Sequence, residues 1–234
     1  MNSELEHALL QFDVATRSDN CGDLTLLRAI KARMFCMFQQ PNSPFYPLGV
    51  QLKDWLRSAE GLDRLRQGIK DPNSDLRGHC GRLLVLMKQP DADSLALQML
   101  GDPAWDVRAI MCEALRQTPL PICEDRLIEL AKHDPSFDVR GQAALTLARY
   151  SPVKVIPVLL KMMESDHAID SDPDVQTGPP SSAAATALDA LLDTNWVTTR
   201  LPGGFATFPP GPVDLESLKE QAKLELERFR RRDE

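Results

Sequence analysis

DPAWDVRAIMCEAL, residues 102–115, has two close copies: DPNSDLRGHCGRLL at 71–84 and DPSFDVRGQAALTL at 134–147. The aspartates that open them, Asp71, Asp102 and Asp134, are 31 and 32 residues apart, and Arg77, Arg108 and Arg140 keep the same spacing. A fixed period of this size signals stacked supersecondary units, each burying an apolar face that it cannot bury alone. Each unit reads as two helices. The first helices are expected at about 59–70, 91–101, 122–133 and 152–164, on apolar residues at helical spacing such as Leu127, Ile128, Leu130 and Ala131. Asp-Pro then interrupts the chain, because the residue before a proline avoids helical geometry.

The second helix of each unit is expected to start after Asp75, Asp106 or Asp138, read as N-caps. Its apolar face shows as Val107, Met111, Ala114 and Leu115, or as Val139, Ala143 and Leu147. Arg77, Arg108 and Arg140 fall in the first turn, where the helix dipole disfavours a cation. An acid from the same or the neighbouring turn must offset that cost through charge-assisted hydrogen bonds. Repetition would make an Asp–Arg ladder from Asp75, Arg77, Asp106, Arg108, Asp138 and Arg140. For Arg108 the candidate acids are Asp102, Asp106, Asp134 and Asp138.

Asp-Pro-x-x-Asp-Val-Arg followed by Ala-x-x-Ala-Leu spacing resembles HEAT repeats, in the short form also found in phycobilin lyases. The resemblance covers roughly 59–192 and is strongest at 71–88, 102–117 and 134–149. It implies an all-α fold, a right-handed α–α superhelix with a helical N-terminal cap and a C-terminal helix. In the fourth unit Asp172-Pro173-Asp174-Val175 matches the turn, but Gln176 replaces the arginine and TGPPSS precedes the helix AAATALDALL. That unit reads as an interrupted or terminal one, as the ends of repeat arrays often are.

The resulting division is 1–58 for capping helices, 59–194 for repeats, 195–213 for a Pro/Gly-rich strap or short hairpin, and 214–234 for an amphipathic helix. Ser3 to Glu6 forms a capping box for a helix to about residue 17. Asp23 starts a second, LTLLRAIKARMFCMFQQ, that ends before PNSPFYPLG, and a short helix follows at about 50–57. In the last helix Leu215, Leu218, Ala222, Leu226 and Phe229 share one face, and the arginines of its final turn suit the dipole.

The 234 residues are 43% hydrophobic but only 6% aromatic, and Leu and Ala dominate, which suits helix-on-helix packing. No apolar run reaches the length of a membrane span, and the N-terminus lacks the pattern of a secretory signal. Five cysteines without CxxC spacing fit reduced thiols. These features lead us to expect a cytoplasmic protein. The net charge of −7 is local: residues 162–199 hold no Lys or Arg but seven acids, and the rest of the chain balances to zero. A nucleic-acid partner is disfavoured, because no basic stripe of comparable strength is present.

No catalytic motif emerges. The four histidines, His7, His79, His133 and His167, form no metal-ligand pair, and Cys80 and Cys112 sit at small-residue positions of second helices. Asp170, Asp172 and Asp174, near Asp166, alternate as in a calcium loop. Val175 stands where the loop needs Gly and Ser181 where it needs Glu, so no metal and no cofactor is expected.

The residue before each presumed cap is Ser74, Trp105 or Phe137, a turn position usually polar in HEAT repeats. Aromatics anchor interfaces. The resemblance implies a protein-interaction module, an adaptor, scaffold or inhibitor. The partner-binding candidates are Trp105, Phe137, Arg82, Glu113, Leu145, Asp166, Asp170, Asp172 and Asp174, the acids favouring a basic partner surface. The alternatives are a lyase or lyase-like chaperone acting on a pigment protein, and a HEAT-like DNA glycosylase with Asp106 beside Trp105.

Overall fold

The structure, a computed structural model, describes residues 20–34, 39–165, 180–192 and 215–232. Among the described residues every regular element is helical: α1 (Leu24–Met34), α2 (Tyr46–Arg57), α3 (Ala59–Gly68), α4 (Ser74–Leu86), α5 (Ala92–Met99), α6 (Trp105–Gln117), α7 (Glu124–His133), α8 (Phe137–Leu147), α9 (Pro152–Ser165), α10 (Pro180–Leu192) and α11 (Leu215–Arg232). One 3-10 turn, Pro121–Cys123, leads into α7. The expected helix at 3–17 and the strap or hairpin at 195–213 lie outside the described residues, as do Phe35 to Phe38 of the expected second helix. No described helix is long and apolar enough to cross a membrane.

The chain divides into two compact units, Met1–Met111 and Cys112–Glu234, and α6 crosses the boundary. In the first unit α1 packs on α2 and α4, α3 on α2 and α4, and α4 on α5. The packed faces carry Leu26, Leu27 and Ile30 of α1, Leu52 of α2, Leu65 of α3, and Leu76, Cys80, Leu84 and Val85 of α4. Those of α1 and α4 follow the i, i+3, i+4 spacing that puts apolar side chains on one stripe. The expected short helix at 50–57 is longer. It starts at Tyr46, because Pro47 falls in its first turn, where a proline gives up no needed N–H.

In the second unit α7 packs on α8 and α9, α8 on α10, and α9 on α10. The core is Leu127 and Leu130 of α7, Val139, Ala143 and Leu147 of α8, Val155, Ile156 and Leu159 of α9, and Ala184 and Leu188 of α10. α11 lies against α9 and α10 through its buried Leu218, Ala222 and Leu226. The hydroxyl of Tyr150 fixes the connection before α7, donating to the Leu120 carbonyl and accepting from its N–H, each at 3.3 Å.

Candidate functional site at the repeat turns

Each repeat turn is built from the same three residues. In Asp-Pro-x the aspartate carboxylate accepts the backbone N–H two residues on: Asp71 from Asn73, Asp102 from Ala104 and Asp134 from Ser136, all at 2.9 Å. This local bond competes with helix and holds the proline segment as a turn. The second helix then begins one residue later, at Ser74, Trp105 or Phe137. Asp75, Asp106 and Asp138 are therefore not N-caps. They occupy the second helical position, where a carboxylate still complements the dipole. In α4 the cap is Asn73, whose side-chain oxygen accepts the Leu76 N–H at 2.9 Å.

The arginines serve the turn from the fourth helical position. Nη1 of Arg77 donates to the carbonyl oxygens of Asp71 and Pro72 at 2.7 and 3.1 Å. Arg108 does the same to Asp102 and Pro103 at 2.8 and 3.1 Å, and Arg140 to Asp134 and Pro135 at 2.7 and 3.4 Å. These carbonyls lie in the turn before each second helix and give the arginine local acceptors that offset its place near the helix N-terminus.

In the first unit the turns are also joined to one another. Arg77 forks onto the Asp102 carboxylate, with Nε and Nη2 each 2.9 Å from an oxygen. Burial pushes the Asp102 carboxyl up, but the bonds from Arg77 and the Ala104 N–H outweigh it and hold its pKa below the ordinary range. The Ser74 hydroxyl donates to Asp106 at 2.6 Å. Asp75 meets Lys31 of α1 at 2.9 Å and Nε2 of His79 at 3.1 Å. Asp71 receives the Gly22 N–H at 2.9 Å. Asp75 and Asp106 of the expected ladder thus have distinct partners, and the acid that Arg77 reaches is the Asp-Pro aspartate of the next repeat.

Trp105 stands at the first position of α6 and is 46% exposed. A large ring left in water on a turn fixed by Asp102 and Arg108 is a preorganised apolar contact. In the second unit Phe137 holds the equivalent place on α8. It is half-buried, with the Arg140 guanidinium 4.3 Å above its ring. Arg82 on α4, Glu113 on α6 and Leu145 on α8 are half-buried. Asp166, Asp170, Asp172 and Asp174 lie outside the described residues.

Cys80 and Cys112 are fully buried, and burial raises the Cys80 thiol well above its ordinary pKa, which keeps it protonated. Among the described residues no group of His, Cys, Asp and Glu could hold a metal ion. The Asn73 cap, the Ser74–Asp106 bond and the Lys31–Asp75–His79 cluster are not among the expectations from sequence. Asp-Pro-Asn was the legible sign of the first, since Asn is a strong cap. The other two depend on which helices become neighbours.

Consecutive helix pairs joined by Asp-Pro turns define an α-helical repeat protein. Residues 92–172 match the family model of HEAT repeats. No curated protein and no solved structure matches the chain.

Proposed function

We propose that the protein binds another protein through the turn edge of its HEAT repeats, with Trp105 as an anchor. HEAT repeats in general mediate protein–protein interaction, and residues 92–172 match their family model. The observation that carries the reading is the exposure of Trp105 on a turn that Asp102 and Arg108 already hold rigid. A rigid exposed indole loses little freedom on binding and offers a large apolar area. The acid-rich, cation-free stretch 162–199 favours a partner with a basic surface, and an adaptor, a scaffold and an inhibitor would all use such a surface.

Enzymatic alternatives draw no support from the geometry at Trp105. A glycosylase reading needs Asp106 as a reactive carboxylate. Its two oxygens instead accept the Ser74 hydroxyl and the Val107 N–H, at 2.6 and 3.0 Å.

The test is affinity capture with the wild-type chain and Trp105→Ala side by side, with thermal unfolding of both. The partner should be lost from the variant while the melting temperature holds. Equal recovery by both proteins would remove Trp105 from the interface.

A further inference from the structure

A cavity of about 260 Å³ opens in the first unit between the ends of α2 and α4 and the start of α3. Its lining is Arg57, Leu62, Leu86, Met87, Lys88 and Gln89. The apolar members are half-buried, the two cations are exposed, and no acid lines the space. We infer that this cavity is a second docking site, for a short acidic peptide segment that inserts one apolar side chain between Leu62, Leu86 and Met87 and sets its carboxylates on Arg57 and Lys88.

Local geometry sets the backbone positions from which both cations project. Ser58 is the only residue between α2 and α3. Its hydroxyl donates to the Trp55 carbonyl at 2.7 Å and accepts the Gly61 N–H at 3.2 Å. A Cβ on Gly61 would lie 2.1 Å from that carbonyl, so the corner closes only on glycine. This corner sets where α2 ends, and its last residue, Arg57, lines the cavity together with Leu62.

Lys88 is set by the end of α4. Gln89 N–H donates to the Leu84 carbonyl at 3.2 Å and Lys88 N–H to the Val85 carbonyl at 2.9 Å, the paired bonds of a helix terminus that turns through the left-handed region. Lys88 has φ 53° there. Glycine suits that position best, and a lysine is strained in it. A strained residue on a cavity rim marks a side chain kept for something other than folding. Gln89 is in turn held by Arg66, whose Nη2 donates to Oε1 at 3.1 Å.

Charge complementarity selects the occupant. Among the described residues neither Arg57 nor Lys88 is paired with an acid, and Lys53, one turn before Arg57 on the same face of α2, adds a third exposed cation. The volume admits a single large side chain with its neighbouring backbone. This site differs from the Trp105 surface in place and in the charge it prefers.

The position of Lys88 makes the test independent of folding. Random short peptides displayed on phage are selected on the intact wild-type chain, and the enriched peptide is titrated against variants. Enrichment of acidic sequences with one large apolar residue is expected, as is weaker binding at higher salt. Lys88→Gly and Arg57→Ser should each weaken binding about fivefold, and Lys88→Gly should also raise the melting temperature. Trp105→Ala should leave the affinity unchanged, which separates this site from the Trp105 surface. No enrichment, enrichment of peptides without acids, or equal affinity for wild type and Lys88→Gly would overturn the proposal.

Discussion

Arg77 forks onto Asp102 across 25 residues of sequence, tying the second helix of one repeat to the turn that opens the next. The two side chains are only 15% and 9% exposed. Coulombic attraction is stronger there than at the surface, and an unpaired member would remain partly desolvated. Arg77→Ala and Asp102→Ala should each cost about 2 kcal/mol. The double mutant should cost less than their sum, since each single change already breaks the pair. Urea unfolding of the four proteins gives the coupling, and strict additivity would mean that the bond contributes nothing.

Trp105 should behave as a surface residue in folding and as an anchor in binding. With nearly half of it in solvent, Trp105→Ala should cost under about 1 kcal/mol of stability. Loss of an anchoring ring should weaken partner binding by about 2 kcal/mol or more. Calorimetric melting and titration of the same variant measure both. A large fall in melting temperature would place the ring in the core.

Asp75 links stability to acid pH. Burial alone would raise its pKa, but hydrogen bonds from His79 and Lys31 win and bring it to about 2, below the ordinary aspartate value. A carboxyl with a lowered folded pKa favours folding above its unfolded pKa of about 3.9 and loses that contribution as pH falls through its folded value. Stability should therefore drop between about pH 4 and 2, and Asp75→Asn should flatten that part of the curve. Denaturant midpoints across the range, wild type against variant, decide it.

The helix starts give a further prediction. Asn73 caps α4, so Asn73→Ala should cost about 1 kcal/mol, whereas Asn73→Asp keeps an acceptor and should cost less. Thermal melts of the two variants check the order. Equal losses would show that the side-chain bond to Leu76 is not what the cap provides.

The period of the Asp-Pro turns and the apolar stripe on α6 and α8 made the helix pairs legible, because turn chemistry and helical periodicity are local. The exact starts were not. Asp75, Asp106 and Asp138 look like caps when read alone, but the N–H groups of Asn73, Ala104 and Ser136 donate to the Asp-Pro carboxylates, the turn closes there, and each helix starts one residue before the presumed cap. The spacing showed that each arginine needed acceptors, but not that backbone carbonyls would supply part of them. The region before α1 was harder still. Gly22 gives Asp71 a backbone partner where Arg77 gives Asp102 a guanidinium, and Asn20-Cys21-Gly22-Asp23 carries neither the proline nor the arginine that mark the repeat. Trp105 was legible as an aromatic at a turn, and its exposure follows from packing that no local pattern encodes.

Site-specific photocrosslinking tests the binding role of the turn edge most directly. A photoreactive aromatic residue replaces Trp105 in one protein and exposed Gln98 of α5 in another, both expressed in the native host and irradiated in the cell. A discrete adduct with another protein should form from position 105 and not from position 98. The same adduct from both positions, or none from 105, would contradict the assignment of the repeat-turn edge as the protein-binding surface.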